Sequence, residues 1–136
     1  MSKIRFLLLV FLFAILLIGC GSSRPCTLED YDNFDITLDA PAYGSMLTTV
    51  RPTLEWHTSE SCRIENYYIQ VQMKEKNGVW GYLVDGDSTE YQPDTFLQTG
   101  GEYYWTVRPY AGSIDYHGKS SPEWIFYTGL LCTRTP

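Results

Sequence analysis

The chain has 136 residues, 44% of them hydrophobic and 15% aromatic, which is enough apolar material for one packed domain of common size. Its formal net charge of −6 argues against nucleic acid and against anionic headgroups, because an acidic surface repels both. Two histidines and scattered carboxylates give little material for catalysis, and no Gly-x-Ser-x-Gly, His-Glu-x-x-His or phosphate-cradling glycine loop occurs, so a non-catalytic protein without cofactor is expected.

Lys3 and Arg5 precede an apolar run from Phe6 to Ile18. That is a basic segment followed by an apolar one too short to span a bilayer comfortably. The run closes on Leu17-Ile18-Gly19-Cys20, which resembles the lipobox of bacterial lipoprotein signal peptides. The resemblance implies a signal over residues 1–19, cleavage before Cys20, diacylglycerol on the Cys20 sulfur and an acylated new N-terminus. Two or three such chains, at ~0.8 kcal/mol per buried CH₂, hold a domain at a membrane far better than one. An ordinary secretory signal, or a membrane anchor, that happens to end in Gly-Cys is the competing reading. Gly21 rather than Asp follows the cysteine. The expected location is therefore the outside of the cytoplasmic membrane, or the outer membrane if the host has two. Loss of Lys3 and Arg5 with the signal makes the mature chain more acidic still.

With Cys20 consumed by lipid, Cys26, Cys62 and Cys132 remain in an oxidising compartment. One disulfide and one free thiol is the simplest outcome. The favoured pair is Cys26–Cys62, which would clip the N-terminal tether to a loop, and the runner-up is Cys26–Cys132, which would tie the two ends together. Spacing does not choose between them. No two cysteines sit at metal-ligand spacing, and His57 and His117 are far apart, so no metal site is expected.

Residues 20–35 read as the lipidated N-terminus and a tether, with an acidic, irregular lead-in from Thr27 to Asp35. The first strand begins at Ile36-Thr37-Leu38, is broken by Pro41 and Gly44, and resumes at Met46-Leu47. The second is Thr53 to His57, with Leu54 and Trp56 on one face. The third, Asn66 to Lys74, has the cleanest alternation: Tyr67, Ile69, Val71 and Met73 oppose Tyr68, Gln70, Gln72 and Lys74. Asn77-Gly78 signals a hairpin into a fourth strand, Val79 to Val84. A short fifth strand covers Thr89 to Gln92. The Gly100-Gly101 turn opens the sixth, in which Tyr103, Trp105 and Val107 share a face and which Pro109 ends. A long loop from Tyr110 to Ser121 leads to the last strand, Pro122 to Thr128. Seven short strands with regular turn signals predict an antiparallel β-sandwich over residues 36–128, with a tail at 129–136.

The order Leu54-x-Trp56, Tyr67-x-Ile69-x-Val71, Leu97 with Tyr103-x-Trp105-x-Val107, and Ser121-Pro122-x-Trp124-x-Phe126 resembles a fibronectin type III-like, immunoglobulin-like domain. The resemblance implies a tyrosine corner at Tyr103, whose ring is buried while its hydroxyl bonds nearby backbone. The loop before Pro122 holds no Arg-Gly-Asp, which removes the reason to infer integrin-type adhesion.

Candidate binding residues follow from exposed aromatics. Tyr110, Tyr116 and His117 lie in or beside the long loop, and Trp80 and Tyr82 could extend the same surface. Aromatic rings beside polar groups anchor protein partners or stack on sugars. The same rings also serve as plain cross-strand cover. The acidic run Asp85, Asp87, Glu90, Asp94 lacks the spacing of a calcium loop and reads as solvated turn residues. Cys62 and His57, close in sequence, read as a loop cysteine and a strand-end histidine. The expected role is an interaction or accessory module that meets an envelope or extracellular protein. Glycan binding is the alternative, and inhibition of an extracellular protease a third.

Overall fold

Alternation of apolar and polar residues decides most of the strands. The structure is a computed structural model, and it describes residues 23–129 except Glu60 and Asn77. Cys20, the signal, Cys132 and most of the tail lie outside the described residues. Three strands form the smaller sheet in the order β1 (Ile36–Ala40), β3 (Leu54–Thr58), β6 (Glu90–Tyr91). The larger sheet runs β2 (Ser45–Leu47), β9 (Trp124–Thr128), β7 (Glu102–Ala111), β4 (Asn66–Met73), β5 (Val79–Asp85), with β8 (Tyr116–His117) beside β7. All pairings are antiparallel except β2 with β9.

Between the sheets lies the core. Leu54 and Trp56 of β3, Ile69 and Val71 of β4, Tyr103, Trp105 and Val107 of β7, and Phe126 of β9 are all buried. Each fully buried apolar side chain of this size contributes roughly 1.5–3 kcal/mol. Trp56 meets Tyr67 edge-on at 5.4 Å, and Tyr103 stacks on Phe126 at 5.5 Å.

The tyrosine corner is present. Tyr103 Oη accepts from the Gln98 N–H at 2.7 Å and donates to the Gln98 carbonyl at 3.3 Å. The two glycines before it do different jobs. Gly100 has φ +74, the turn conformation that glycine adopts without strain. Gly101 is needed for space, since a Cβ there would lie 2.6 Å from the Tyr103 ring.

Four local features differ from the sequence expectation. First, the lead-in before Ile36 is not irregular: α1 (Leu28–Asn33) forms there. Thr27 caps it reciprocally, its hydroxyl accepting from the Asp30 N–H while its own N–H donates to the Asp30 carboxylate at 2.6 Å. Arg24 holds that carboxylate from outside at 2.7 and 3.0 Å. Tyr31 and Phe34 are buried in the core, so packing begins before Ile36. Second, the broken first strand is two strands in two sheets. Pro41 and Gly44, the latter at φ +72, carry the chain across, and β2 lies parallel to β9.

Third, Pro109 does not end the sixth strand; β7 passes through it, with Pro109 opposite Tyr67. Its missing N–H falls on the β9 side, beyond Trp124, where β9 no longer pairs with β7. Fourth, the long loop is short-circuited: a 3-10 turn at Gly112–Ile114 leads into β8, which pairs back onto Tyr110 and Ala111.

Cys26 and Cys62 form a disulfide, with Cα atoms 5.0 Å apart. Backbone bonds flank it, Cys26 N–H to the Arg63 carbonyl at 3.1 Å and Arg63 N–H to the Arg24 carbonyl at 2.8 Å. The N-terminal segment is thus fixed to the loop before β4.

Candidate functional site: the outer face of the large sheet

Strand phase divides β7 and β4 into a buried face and a solvent face. The outward residues of β7 are Glu102, Tyr104, Thr106, Arg108 and Tyr110, and those of β4 include Tyr68, Gln70 and Gln72, all partly exposed. Register sets Tyr68 opposite Arg108 and Tyr110 opposite His117 of β8.

These residues form one cluster. The Tyr110 and His117 rings lie 4.6 Å apart, and His117 meets Tyr68 edge-on at 5.1 Å. The Arg108 guanidinium sits 5.5 Å from the centre of the Tyr68 ring, a cation–π contact, and its Nη2 donates to Gln70 Oε1 at 3.0 Å. Tyr68 reaches sideways over the next strand. A Cβ at Gly81 of β5 would lie 2.1 Å from the Tyr68 hydroxyl oxygen, so only glycine leaves room for the ring.

Hydrogen bonds fix the rim. Tyr110 Oη donates to Asp115 Oδ1 at 2.8 Å, and this bond to a carboxylate raises the tyrosine pKa above its ordinary value. Asp115 adopts φ +52, a turn conformation that short polar side chains tolerate. Glu65 receives the Ser113 N–H at 3.0 Å and the Ser113 hydroxyl at 2.7 Å, and these bonds lower its pKa. The turn between β7 and β8 is thus held from two sides.

Farther along the face, Lys74 pairs with Glu102 at 2.9 Å, and Tyr104 Oη donates to the same carboxylate at 2.8 Å. Lys74 therefore lies above its ordinary pKa and Glu102 below. That end of the face is internally satisfied. The other end presents half-exposed rings and one cation.

The five aromatic candidates go to three places. Tyr110 and His117 join the cluster. Tyr116 turns to the other side of the sheet, where its hydroxyl bonds Asp32 and its ring meets Tyr31 edge-on at 6.4 Å. Trp80 and Tyr82 point inward at the open flank. Trp80 packs near Tyr103 at 6.4 Å, and Tyr82 lies against Tyr91 at 4.9 Å. Trp80 also lines a cleft of about 160 Å³ with Met73, Lys76, Phe96 and Tyr103. Tyr116, Trp80 and Tyr82 therefore do not share a surface with Tyr110. Tyr68 and Arg108, which the sequence reading left aside, take their place. Their outward phase was readable, but their meeting depends on a pairing between distant strands.

Other candidate groups have partners of their own. Cys62 is in the disulfide, and His57 Nδ1 lies 2.7 Å from the Asp39 carboxylate. Asp85 accepts from the Asp87 N–H at 3.3 Å, which closes its own turn. Among the described residues no three His, Cys, Asp or Glu side chains converge as metal ligands.

No family model matches the chain, and no curated protein matches it. Solved structures do. A structure described as a myokine is similar at 16% identity, covering 79% of this chain and 97% of its own, with a TM-score of 0.53. The FN3 domain of human collagen XX is similar at 13% identity, covering 79% and 97%, with a TM-score of 0.51. An α-L-rhamnosidase from Aspergillus terreus is similar at 15% identity and a TM-score of 0.54, over 72% of this chain but only 12% of the enzyme. At these identities the likeness is one of fold: the chain is a fibronectin type III-like β-sandwich.

Proposed function

We propose that this protein is a lipid-anchored, non-catalytic module of the bacterial cell envelope that binds a protein partner through the outer face of its large sheet. The observation that carries the reading is the Tyr68–Arg108–Tyr110–His117 cluster. Aromatic and arginine side chains dominate the energetics of protein interfaces. Here they sit half-exposed on a rigid sheet and are pre-positioned by their own contacts. The anchor rests on Leu17-Ile18-Gly19-Cys20, and labelling with palmitate that survives Cys20→Ser would remove it.

Site-specific photo-crosslinking in intact envelope tests the face. A crosslinker at Tyr104 or Thr106, beside the cluster, should trap one defined protein, and Arg108→Ala should abolish the adduct. An adduct that forms equally from Glu55, on the small sheet, rejects this face. The half-exposed rings beside Gln70 and Arg108 also suit a sugar. Competition of the adduct by a simple oligosaccharide would favour that second reading.

A further inference from the structure

Among the described residues the main paths of the two sheets end in four edge strands, β1 and β6 on one and β2 and β5 on the other, besides the two-residue β8 that pairs only with β7. Three carry devices that discourage pairing with another chain. β1 bears Asp39, a bulge between Leu38 and Ala40, and Pro41 directly after it. β6 has two residues, one of them Glu90, and β2 has three. β5 differs. It runs seven residues, is uncharged from Val79 to Val84, has no proline, and pairs with β4 without a register shift. Val79 and Leu83 on it are 51% and 58% exposed.

Its free hydrogen-bonding groups can be assigned. The Gly86 N–H donates to the Glu65 carbonyl at 3.0 Å, which makes Glu65–Gly86 a hydrogen-bonded pair. Antiparallel alternation then makes Tyr67–Val84, Ile69–Tyr82 and Val71–Trp80 the bonded pairs. The N–H and C=O groups of Val79, Gly81 and Leu83 point away from β4. Among the described residues no hydrogen bond outside the strand ladders reaches them.

We propose that β5 pairs antiparallel with β5 of a second copy of this chain, about a two-fold axis at Gly81. This register sets Val79 opposite Leu83 of the second copy, Trp80 opposite Tyr82, and Gly81 opposite itself. About six backbone hydrogen bonds form. The exposed valine and leucine cover each other twice, as an isologous interface requires. Glycine at the axis leaves space for both Tyr68 rings.

An axis at Tyr82 instead would set Val79 against Asp85 and Leu83 against Gly81, leaving the apolar pair unmatched. A foreign strand would satisfy the same backbone groups. It would not explain valine and leucine placed symmetrically about a glycine. The inference rests on β5 and is independent of the partner-binding reading above.

Cysteine pairing in the full chain tests both partner and register. In a Cys132→Ser background, differently tagged Val79→Cys and Leu83→Cys chains are mixed in detergent and oxidised. A disulfide should join the two tags, while either variant alone, and the Cys132→Ser parent, should give none. Sedimentation should show a dimer that Val79→Lys with Leu83→Lys converts to monomer, a halving of mass, with circular dichroism unchanged. A wild-type chain that stays monomeric at tens of micromolar overturns the proposal. So does a Val79→Cys chain that cross-links to itself, or one that in envelope links to a protein of another mass.

Discussion

Tyr103 and Tyr110 sit on the same strand, seven positions and one face apart, and they do opposite work. Tyr103 is fully buried, and both of its hydrogen bonds go to the backbone of Gln98. Tyr110 is half-exposed, and its hydroxyl bonds a carboxylate in a surface turn. A buried tyrosine bonded to main chain is scaffold, because any movement strands a desolvated N–H. A tyrosine bonded to an exposed side chain can change partners at little cost. The aromatic richness of the chain therefore divides by hydrogen-bond partner, and only the second kind is available for binding.

Substitutions on either side of that division should separate stability from binding. The largest effect is expected at Trp105, buried beside Tyr103: Trp105→Ala should cost about 3–5 kcal/mol in denaturant unfolding, through lost burial and the cavity left. Tyr103→Phe keeps the ring but leaves the Gln98 N–H unpaired, and about 1–2 kcal/mol should go in the same measurement. A Tyr103→Phe chain as stable as wild type would mean that the corner is held by packing alone.

Tyr31 stands between the two kinds. Its ring is buried, yet the helix that carries it is held by the half-buried carboxylate of Asp30 near the surface. Arg24 and then the Thr27 backbone hold that carboxyl well below the usual carboxylate range. A depressed folded pKa stabilises the fold above the ordinary value near 3.8, and the stabilisation is lost as pH falls through the folded value. Asp30→Asn should therefore lower Tm at pH 7, by less than Tyr103→Phe does, and the gap should close in acid. A gap that does not narrow at all between pH 7 and pH 2 would assign the effect to packing. The smallest stability effect belongs to the outer face. His117→Ala should change unfolding free energy by no more than about 0.5 kcal/mol, while partner binding measured by titration falls at least tenfold.

Strand identity was legible because burial on one face imposes a period of two, as in Tyr67, Ile69 and Val71. The corner was legible through the resemblance that Leu97 and Tyr103-x-Trp105-x-Val107 carry. The short helix shows no period over six residues, although Thr27-x-x-Asp30 carried a capping signal. The passage of the strand through Pro109 could not be read locally, since it depends on where β9 stops. The cluster was half visible. Tyr110 and His117 stood out as loop aromatics. Tyr68 and Arg108 needed the register between β4 and β7, which no local pattern encodes. Trp80 and Tyr82 misled because an edge strand with alternating aromatics looks alike from either face, and only packing against Tyr103 and Tyr91 shows which face is inside.

The disulfide has a mechanical consequence. Tension applied along the N-terminal segment passes from Cys26 directly to Cys62, which is 36 positions away in sequence, and on into β4, an inner strand of the large sheet. The helix, β1, β2 and β3 lie inside the covalent loop and carry none of that load. Reduction would put them in series with the pull, lengthening the fully stretched chain by about 120 Å. A pull on this end would load the disulfide and β4, while β1 and β3, inside the loop, would be shielded from it.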